Sequence, residues 1–495
     1  MTSAASVRAR ALGVLLPGFE GTALPEALGE LLEDGLAGVC LFATNIGTAT
    51  QLRALTDDIV GRRRHAVIAI DEEGGDVTRL HSHDGAPDAG NAWLGHRDDL
   101  GLTGAAARAI AEQLADAGCN LNFAPSVDVA SDPRNPVIGV RSFGADPDVV
   151  SRHGSAWVAA HEAAGVASCP KHFPGHGDTA QDSHLTLPTV DAPADVVLER
   201  DVAPFAAVVA AGARTVMTSH LLVPALDAEH PATFSSAILR DLLRDRLGFQ
   251  GVVVSDALDM AGASGATGIP EAAVRALAAG CDLLCIGTDT GLDLLEETVA
   301  AIEAAVGDGR LPAERLTDAA ARVARLGLEL AGSRRPPRPA AGAVPRLDPD
   351  LLAAGFEVSP QAAAMLERVA GDRRPWQVVQ LEATANIAAG PVPWGPGAEV
   401  EVHHVAAEDA ASLPERLVRG PVALVGRDIG RRDWARGLAD LLRARPDPCL
   451  VVEMGTPDPE RRHADLVTWG GSRALGAALL RVLGVTGDPP PEVTS

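Results

Sequence analysis

Eight short apolar runs between residues 12 and 332 alternate with longer stretches of helical periodicity, and this alternation narrows the fold more than any other feature. The runs fall at 12–16, 37–42, 66–70, 121–124, 167–170, 215–218, 251–255 and 281–286. Helical stretches at 105–117, 149–164, 196–211, 235–247 and 270–279 separate several of them. Eight strands with intervening helices fit a (β/α)8 TIM barrel; an open doubly wound sheet is the other arrangement the pattern allows. The polar residues favour the barrel. Asp71-Glu72-Glu73, Asp128, Lys171-His172, Ser219-His220 and Asp256 each follow the C-terminal end of a run. A barrel gathers such ends on one face, whereas an open sheet strings them along an edge.

The Pro-rich stretch from Ser333 to Pro345 breaks the alternation. Beyond it, one helix at 350–370 leads into further apolar runs at 377–381, 400–405, 422–425, 449–452 and 466–469. The expected organisation is therefore an α/β chain with a TIM-barrel catalytic domain over 1–332, a linker over 333–349 and a smaller C-terminal α/β domain over 350–487. A disordered tail is expected over 488–495.

Composition limits the partners. Net charge is −24 with no basic run to interrupt it, so neither nucleic acid nor an anionic membrane surface is an expected partner. No stretch reaches transmembrane length. Tyr is absent, and with 46% hydrophobic residues the core must be built of Ala, Leu and Val. The six cysteines lie in or beside apolar runs without CxxC or Cys/His metal spacing. They read as buried thiols of a reducing compartment. Residues 1–19 carry no long apolar run of the kind that marks a secretory signal, because Pro17 and Gly18 interrupt the short one. A cytoplasmic location is the expectation, and no cofactor or metal is expected.

Lysine occurs once, at Lys171, among 42 cationic residues. A position that keeps lysine in an arginine-dominated chain needs a compact ammonium whose three donors can point at separate oxygens. Lys171 also opens the densest polar run in the chain, Lys171-His172-Phe173-Pro174-Gly175-His176-Gly177-Asp178-Thr179-Ala180-Gln181-Asp182-Ser183-His184. That neighbourhood marks an active-site segment.

Two further units have catalytic chemistry. Asp256 ends a largely apolar run, where a carboxylate is either a strand-end helix cap or a nucleophile or hydroxyl binder facing the barrel mouth. Asp182-x-His184 pairs a histidine that exchanges protons near neutral pH with an aspartate that fixes its tautomer. A carboxylate and a His–Asp dyad together meet the needs of retaining glycoside transfer, with histidine replacing the usual second carboxylate. His172, His176, Asp178, Asp182 and His184 also offer ligands for a metal, but their spacing matches no standard zinc or iron arrangement. A noncatalytic carbohydrate-binding protein would have no need of Asp256 or of the dyad.

The Lys171–His184 segment resembles the signature of the β-N-acetylglucosaminidase branch of glycoside hydrolase family 3. Leu41-Phe42-Ala43-Thr44-Asn45, Asp71-x-Glu73-Gly74-Gly75, Asn122-Phe123-Ala124-Pro125, Asn135-Pro136-Val137-Ile138-Gly139-Val140-Arg141-Ser142-Phe143-Gly144 and Ser255-Asp256-Ala257-Leu258-Asp259-Met260 extend the match in family order. The resemblance implies a retaining β-N-acetylglucosaminidase (a β-N-acetylhexosaminidase) acting on peptidoglycan fragments or chitooligosaccharides. It implies Asp256 as nucleophile, His184 as general acid/base and Asp182 as its partner. Asp71, Arg141, Lys171 and His172 would hold the sugar. A small carbohydrate is thus the expected partner. A histidine acid/base carries no negative charge to repel phosphate, so a phosphorylase using phosphate as acceptor is the nearest alternative. One departure stands out. Asp76 occupies a place where the family commonly has arginine, which suggests a reversed charge near the subsite.

Overall fold

The computed structural model describes residues 4–179, 187–265, 267–288, 290–335, 347–370, 374–383, 388–397 and 400–485. The expected tail 488–495 and most of the expected linker lie outside them. The chain divides into two compact units. One comprises Met1–Glu73, Asp98–Ile138 and Ser142–Val344, and the other Gly74–Arg97, Gly139–Arg141 and Pro345–Ser495.

The first unit is a barrel of eight parallel strands: β1 (Leu15–Pro17), β2 (Gly38–Leu41), β3 (Val67–Ile70), β4 (Leu121–Asn122), β5 (Ala167–Ser168), β6 (Thr215–Met217), β7 (Val252–Val254) and β8 (Leu284–Gly287). Parallel ladders join β2 to β5 in order, β6 to β7, and β8 to β1. Isolated bridges and hydrogen bonds close the remaining seams. The Ala37 N–H donates to the Leu12 carbonyl between β1 and β2 (3.0 Å), and the Met217 N–H to Pro170 between β5 and β6 (3.0 Å). The Ser255 N–H donates to Leu283 between β7 and β8 (2.9 Å).

Closure explains why the runs are apolar throughout. Leu16, Cys40, Ala69, Leu121, Ala167, Met217, Val254 and Cys285, one from each strand, meet in a single buried cluster. In β3 the intervening Ile68 and Ile70 are equally buried, so neither face meets water, as in other helix-covered parallel sheets. The helix Ala313–Ser333 buries Leu316, Ala319, Val323, Leu326 and Leu330, an i, i+3, i+7 stripe, and adds Val323, Leu326 and Leu330 to the same cluster. The first run is shorter than its sequence suggests. Leu12 closes the helix Ala4–Leu12, and extended pairing begins only at Leu15.

The second unit is built on a six-stranded sheet. Its strands are β9 (Glu357–Val358), β10 (Gln377–Leu381), β11 (Val402–Val405), β12 (Val422–Gly426), β13 (Cys449–Glu453) and β14 (Leu466–Val467). Their order is β11-β10-β12-β13-β14-β9; the first five are parallel and β9 is antiparallel to β14. The single helix expected over 350–370 is two, Pro349–Ala353 and Pro360–Ala370, with β9 between them. The chain between them becomes extended to pair β9 with β14. A Cβ on Gly355 would stand 2.4 Å from Trp93 Nε1, so that position admits only glycine. Trp93 is fully buried and its indole N–H donates to the Leu352 carbonyl at 3.1 Å.

At the end of β13, Glu453 is buried and its carboxyl gathers the backbone of two loops. Oε1 accepts from the Asp428 and Gly455 N–H groups at 2.8 and 2.7 Å, and Oε2 accepts from Ile429 at 2.8 Å. Burial, reinforced by the charge of Asp428, pushes its pKa from 4.5 up to about 8 despite the three donors. A value raised in the folded state gives stability that is complete below the unfolded value and is lost as pH climbs to about 8. Glu453→Gln, neutral throughout, should therefore gain thermal stability relative to the wild type between pH 5 and pH 8. Thermal midpoints at both pH values test this, and an unchanged difference between the two proteins would contradict it.

Candidate active site

The barrel places its polar residues at the C-terminal ends of its strands, the face on which this architecture builds active sites. Asp71 and Glu73 follow β3, Lys171 follows β5, His220 follows β6 and Asp256 follows β7. The thiol of Cys169, just beyond β5, is pushed up to about 12 chiefly by burial, with Lys171, Asp71 and Asp256 among the smaller electrostatic influences.

Lys171 lies between two carboxylates. Its Nζ donates to Asp71 Oδ1 at 2.6 Å and to Glu73 Oε1 at 2.7 Å. Its side chain is only 3% exposed, as against 19% for Asp71 and 2% for Glu73. The ammonium therefore orients Asp71, the most open member of the trio. Asn122, at the end of β4, fixes the backbone between the two carboxylates. The Glu72 N–H donates to Asn122 Oδ1 (2.9 Å), and Asn122 Nδ2 donates to the Glu72 carbonyl (2.8 Å). The second Nδ2 proton meets His161 Nε2 at 3.2 Å, while His161 Nδ1 donates to the Ala107 carbonyl at 3.0 Å. Burial pushes the His161 pKa down to about 3, so the ring stays neutral and its Nε2 accepts.

A second hub is Asp128, fully buried beyond β4. Its Oδ2 accepts from His172 Nδ1 at 2.7 Å and from the Ser126 hydroxyl at 3.0 Å. Its Oδ1 accepts from the backbone N–H of His172 (3.1 Å) and of His176 (2.7 Å). Burial works against its charge, yet His172, its hydrogen bond and the His176 N–H outweigh burial and hold the pKa below the ordinary value. Chemistry by His172 towards a substrate thus runs through Nε2. His176 is driven down to about 4, chiefly by burial, and shares a 3.1 Å hydrogen bond with the Thr179 hydroxyl.

The loop after His172 is fitted closely to its surroundings. A Cβ on Gly177 would stand 1.6 Å from the Val129 carbonyl oxygen, so only glycine fits there. Asn135 Nδ2 donates to the carbonyls of His176 and Gly177 at 2.8 and 3.1 Å. Asp178 pairs with Arg200 at 2.7 Å, and Arg200 also grips Asp201 at 2.8 and 2.9 Å. Burial pushes Asp201 up to about 6 against the pull of that guanidinium. Asp182 and His184 lie outside the described residues, which stop at Thr179 in this loop.

Asp256 Oδ1 accepts from the Ala257 N–H at 2.8 Å. His220 braces the same turn. Its Nε2 donates to the Ala257 carbonyl at 3.0 Å and its Nδ1 lies 2.9 Å from the Thr233 hydroxyl. Burial lowers the His220 pKa, which makes Nδ1 the acceptor. The charge of Asp256 acts on both His176 and His220.

Of the sequence-derived residues, Asp71, Lys171, His172 and Asp256 meet on this barrel. Arg141 belongs to the second unit, where its carbonyl accepts from Asn91 Nδ2 at 2.7 Å. Asp76 belongs there too, and its charge is answered inside that unit. It pairs with Arg427 at 3.2 Å, accepts from the Gly471 N–H at 3.1 Å, and its side chain is 8% exposed. Glu73, Asp128, Asn122 and His220 are supporting residues to which sequence analysis gave no role. Their signal was a polar residue at or soon after the C-terminal end of a strand and, for Glu73 and Asn122, a place in the motifs that carry the family resemblance.

Residues 20–326 match the glycosyl hydrolase family 3 N-terminal domain. The chain belongs to glycosyl hydrolase family 3. Beta-hexosaminidase A of Pseudoalteromonas piscicida is 39% identical over 336 residues, 62% of this chain and 56% of that protein. The chain thus spans little more than half of that relative's length. The beta-hexosaminidase of Chromobacterium violaceum is 41% identical over 281 residues, covering 78% of its own length. Among solved structures, the glycoside hydrolase family 3 beta-N-acetylglucosaminidase of Paenibacillus sp. str. FPU-7 superposes with a TM-score of 0.84. It shares 28% identity and 96% of each chain is covered.

The buried trio makes a stability prediction. Lys171→Met keeps the stem but leaves the Asp71 and Glu73 carboxylates without their shared cation. Breaking a buried pair from one side costs about 3–5 kcal/mol, so the thermal midpoint should fall markedly. A midpoint within a degree of wild type would show that the trio contributes nothing to folding.

Proposed function

We propose that the protein is a retaining β-N-acetylglucosaminidase that removes terminal β-linked N-acetylglucosamine from peptidoglycan fragments or chitooligosaccharides. The observation that carries this reading is the convergence of Asp256 with the Lys171-ordered Asp71 and the Asp128-ordered His172 at the ends of the barrel strands. The similarity to proteins named beta-hexosaminidase and to a solved beta-N-acetylglucosaminidase supports the choice of sugar.

In this mechanism the sugar sits with its hydroxyls on Asp71, Lys171 and His172. The Asp256 carboxylate attacks the anomeric carbon and expels the glycosidic oxygen, which takes a proton from His184. The result is a glycosyl ester on Asp256. His184, its tautomer fixed by Asp182, then removes a proton from water, which attacks the same carbon and releases the sugar with its configuration retained. His220 and the Ala257 N–H hold Asp256 in place through the turn that follows it.

Asp256→Asn should lower kcat for an aryl N-acetylglucosaminide by several orders of magnitude with little change in thermal midpoint, since the ester needs that oxygen. Substantial residual turnover would remove Asp256 from the nucleophile role. Replacing His184 should hit substrates with poor leaving groups hardest, because only these need a proton on the departing oxygen. Equal losses on aryl and alkyl glycosides would make His184 structural. Adding phosphate to the assay decides the acceptor: free N-acetylglucosamine in its presence supports hydrolysis, and a sugar 1-phosphate shows that phosphate replaces water.

A further inference from the structure

The N-terminal ends of the barrel strands carry a cleft that the glycosidase reading does not use. It lies wholly within the first unit and has a volume of about 490 Å³, within the range of small-molecule pockets. The helices Ala4–Leu12 and Ala313–Ser333 wall it, together with the segments that lead into the first three strands. Arg10 lies before β1, Ala37 before β2, and Arg63 and His65 before β3. Asp71, Lys171 and Asp256 follow their strands, so cleft and candidate active site occupy opposite faces of one barrel. The wall is closely packed. A Cβ on Gly327 would stand 2.4 Å from the His65 carbonyl oxygen, so the helix Ala313–Ser333 meets the chain before β3 where only glycine fits.

The lining is apolar apart from its cations. Ala37 and Val323 are buried, and Leu328 is 56% exposed and gives the cleft an apolar edge. No carboxylate lines it, although the chain carries 66 acidic side chains against 42 cationic ones. Arg63 is the decisive member. Its neighbour Arg62 is answered by Glu26 and Glu33 at 2.7 and 3.0 Å. Arg63 has no such partner among the described residues. Its Nη1 would stand 3.8 Å from a Cβ on Gly35, and its Nε is closed to solvent and donates to nothing. Burial lowers its pKa with no counter-charge to oppose the shift. A guanidinium keeps its charge at every pH a protein meets, so a half-buried one without an acceptor destabilises the fold. Residues 1–3 and 336–346, which adjoin these walls in sequence, hold no acidic side chain to relieve it.

We infer that this cleft binds a small amphipathic oxyanion, a phosphate or carboxylate joined to an apolar body. Arg63 takes the oxyanion on the fork of its guanidinium, and Arg10 adds positive charge. His65 offers a ring N–H at the mouth. Ala37, Val323 and Leu328 cover the apolar body. Neither the chemistry of the cleft nor its test depends on the identity of the sugar.

The test uses the full chain, with phenyl phosphate and hexanoate as probes and inorganic phosphate and benzyl alcohol as controls. The readouts are titration calorimetry and thermal midpoint. Wild type should bind one equivalent of phenyl phosphate or hexanoate about ten-fold more tightly than either control, because oxyanion and apolar body each contribute. The tighter of the two probes assigns the head group. Arg63→Met should weaken that binding about ten-fold. It should also raise the midpoint in probe-free buffer, since it keeps the stem and removes an uncompensated charge. Ala320→Trp narrows the cleft without touching its charge and should weaken both probes. Asp256→Asn, changed on the opposite face, should bind them as wild type does.

A wild type that binds neither probe at millimolar concentration would overturn the inference. So would undiminished binding by Arg63→Met or by Ala320→Trp, or loss of binding in Asp256→Asn. A lower probe-free midpoint in Arg63→Met would make the arginine a structural residue and remove the site. Probes that bind no more tightly than inorganic phosphate would reduce the cleft to general anion screening, which also overturns it.

Discussion

An ammonium buried between two carboxylates is the interaction on which the rest of the barrel face depends. Removing charge from water is costly unless every member is answered by charge or hydrogen bond. Lys171 answers Asp71 and Glu73, and arginine would suit the space poorly. A planar fork favours one carboxylate bidentately, whereas a compact ammonium directs single donors at two separate oxygens. The arrangement also dictates its supports. Two carboxylates one residue apart reach a common cation only if the intervening backbone is fixed, and Asn122 brackets Glu72 on both its N–H and its carbonyl. Asn122 in turn is oriented by a histidine kept neutral by burial. The chain of dependence runs from the helix Pro147–Ala163, which carries His161, to Asp71, the most exposed side chain of the trio.

The parts legible in the sequence are those set by burial on both faces. Strands such as β3, covered inside by the barrel cluster and outside by helices, must be apolar at every position, so they stand out as short runs. Their ends are legible because a polar residue placed directly after such a run is unusual. The supporting residues are harder to find. Asn122 and His161 interact across distant positions; Asn122 shows itself only through its family motif, and His161 carries no local pattern that separates it from an ordinary buried polar side chain. The division into units is harder still. Nothing in the composition changes between Glu73 and Gly74, yet the chain leaves one compact unit for the other there and returns at Asp98. The helix expected over 350–370 failed for a related reason. Its interruption goes with the pairing of β9 to β14, some 110 positions away in the chain.

Asp76 shows how a departure from a family pattern is misread when charge is assigned by sequence position alone. An aspartate in place of arginine suggests a negative subsite. The structure instead gives that charge to Arg427 and to the Gly471 N–H, and leaves the side chain almost closed to solvent. A residue of the second unit therefore supplies the cation, and the aspartate supplies its counter-charge. The change at Asp76 and the presence of Arg427 form one feature, and neither alone describes the local field.

The loop that carries the proposed acid/base follows the same logic at its root. Gly177 against the Val129 carbonyl sets the path, Asn135 ties the backbone at His176 and Gly177, and Arg200 holds Asp178. Each anchor lies before Thr179, within a few residues of His172 and its bond to Asp128. The described part of this loop is thus fixed up to Thr179 by close packing, hydrogen bonds and an ion pair.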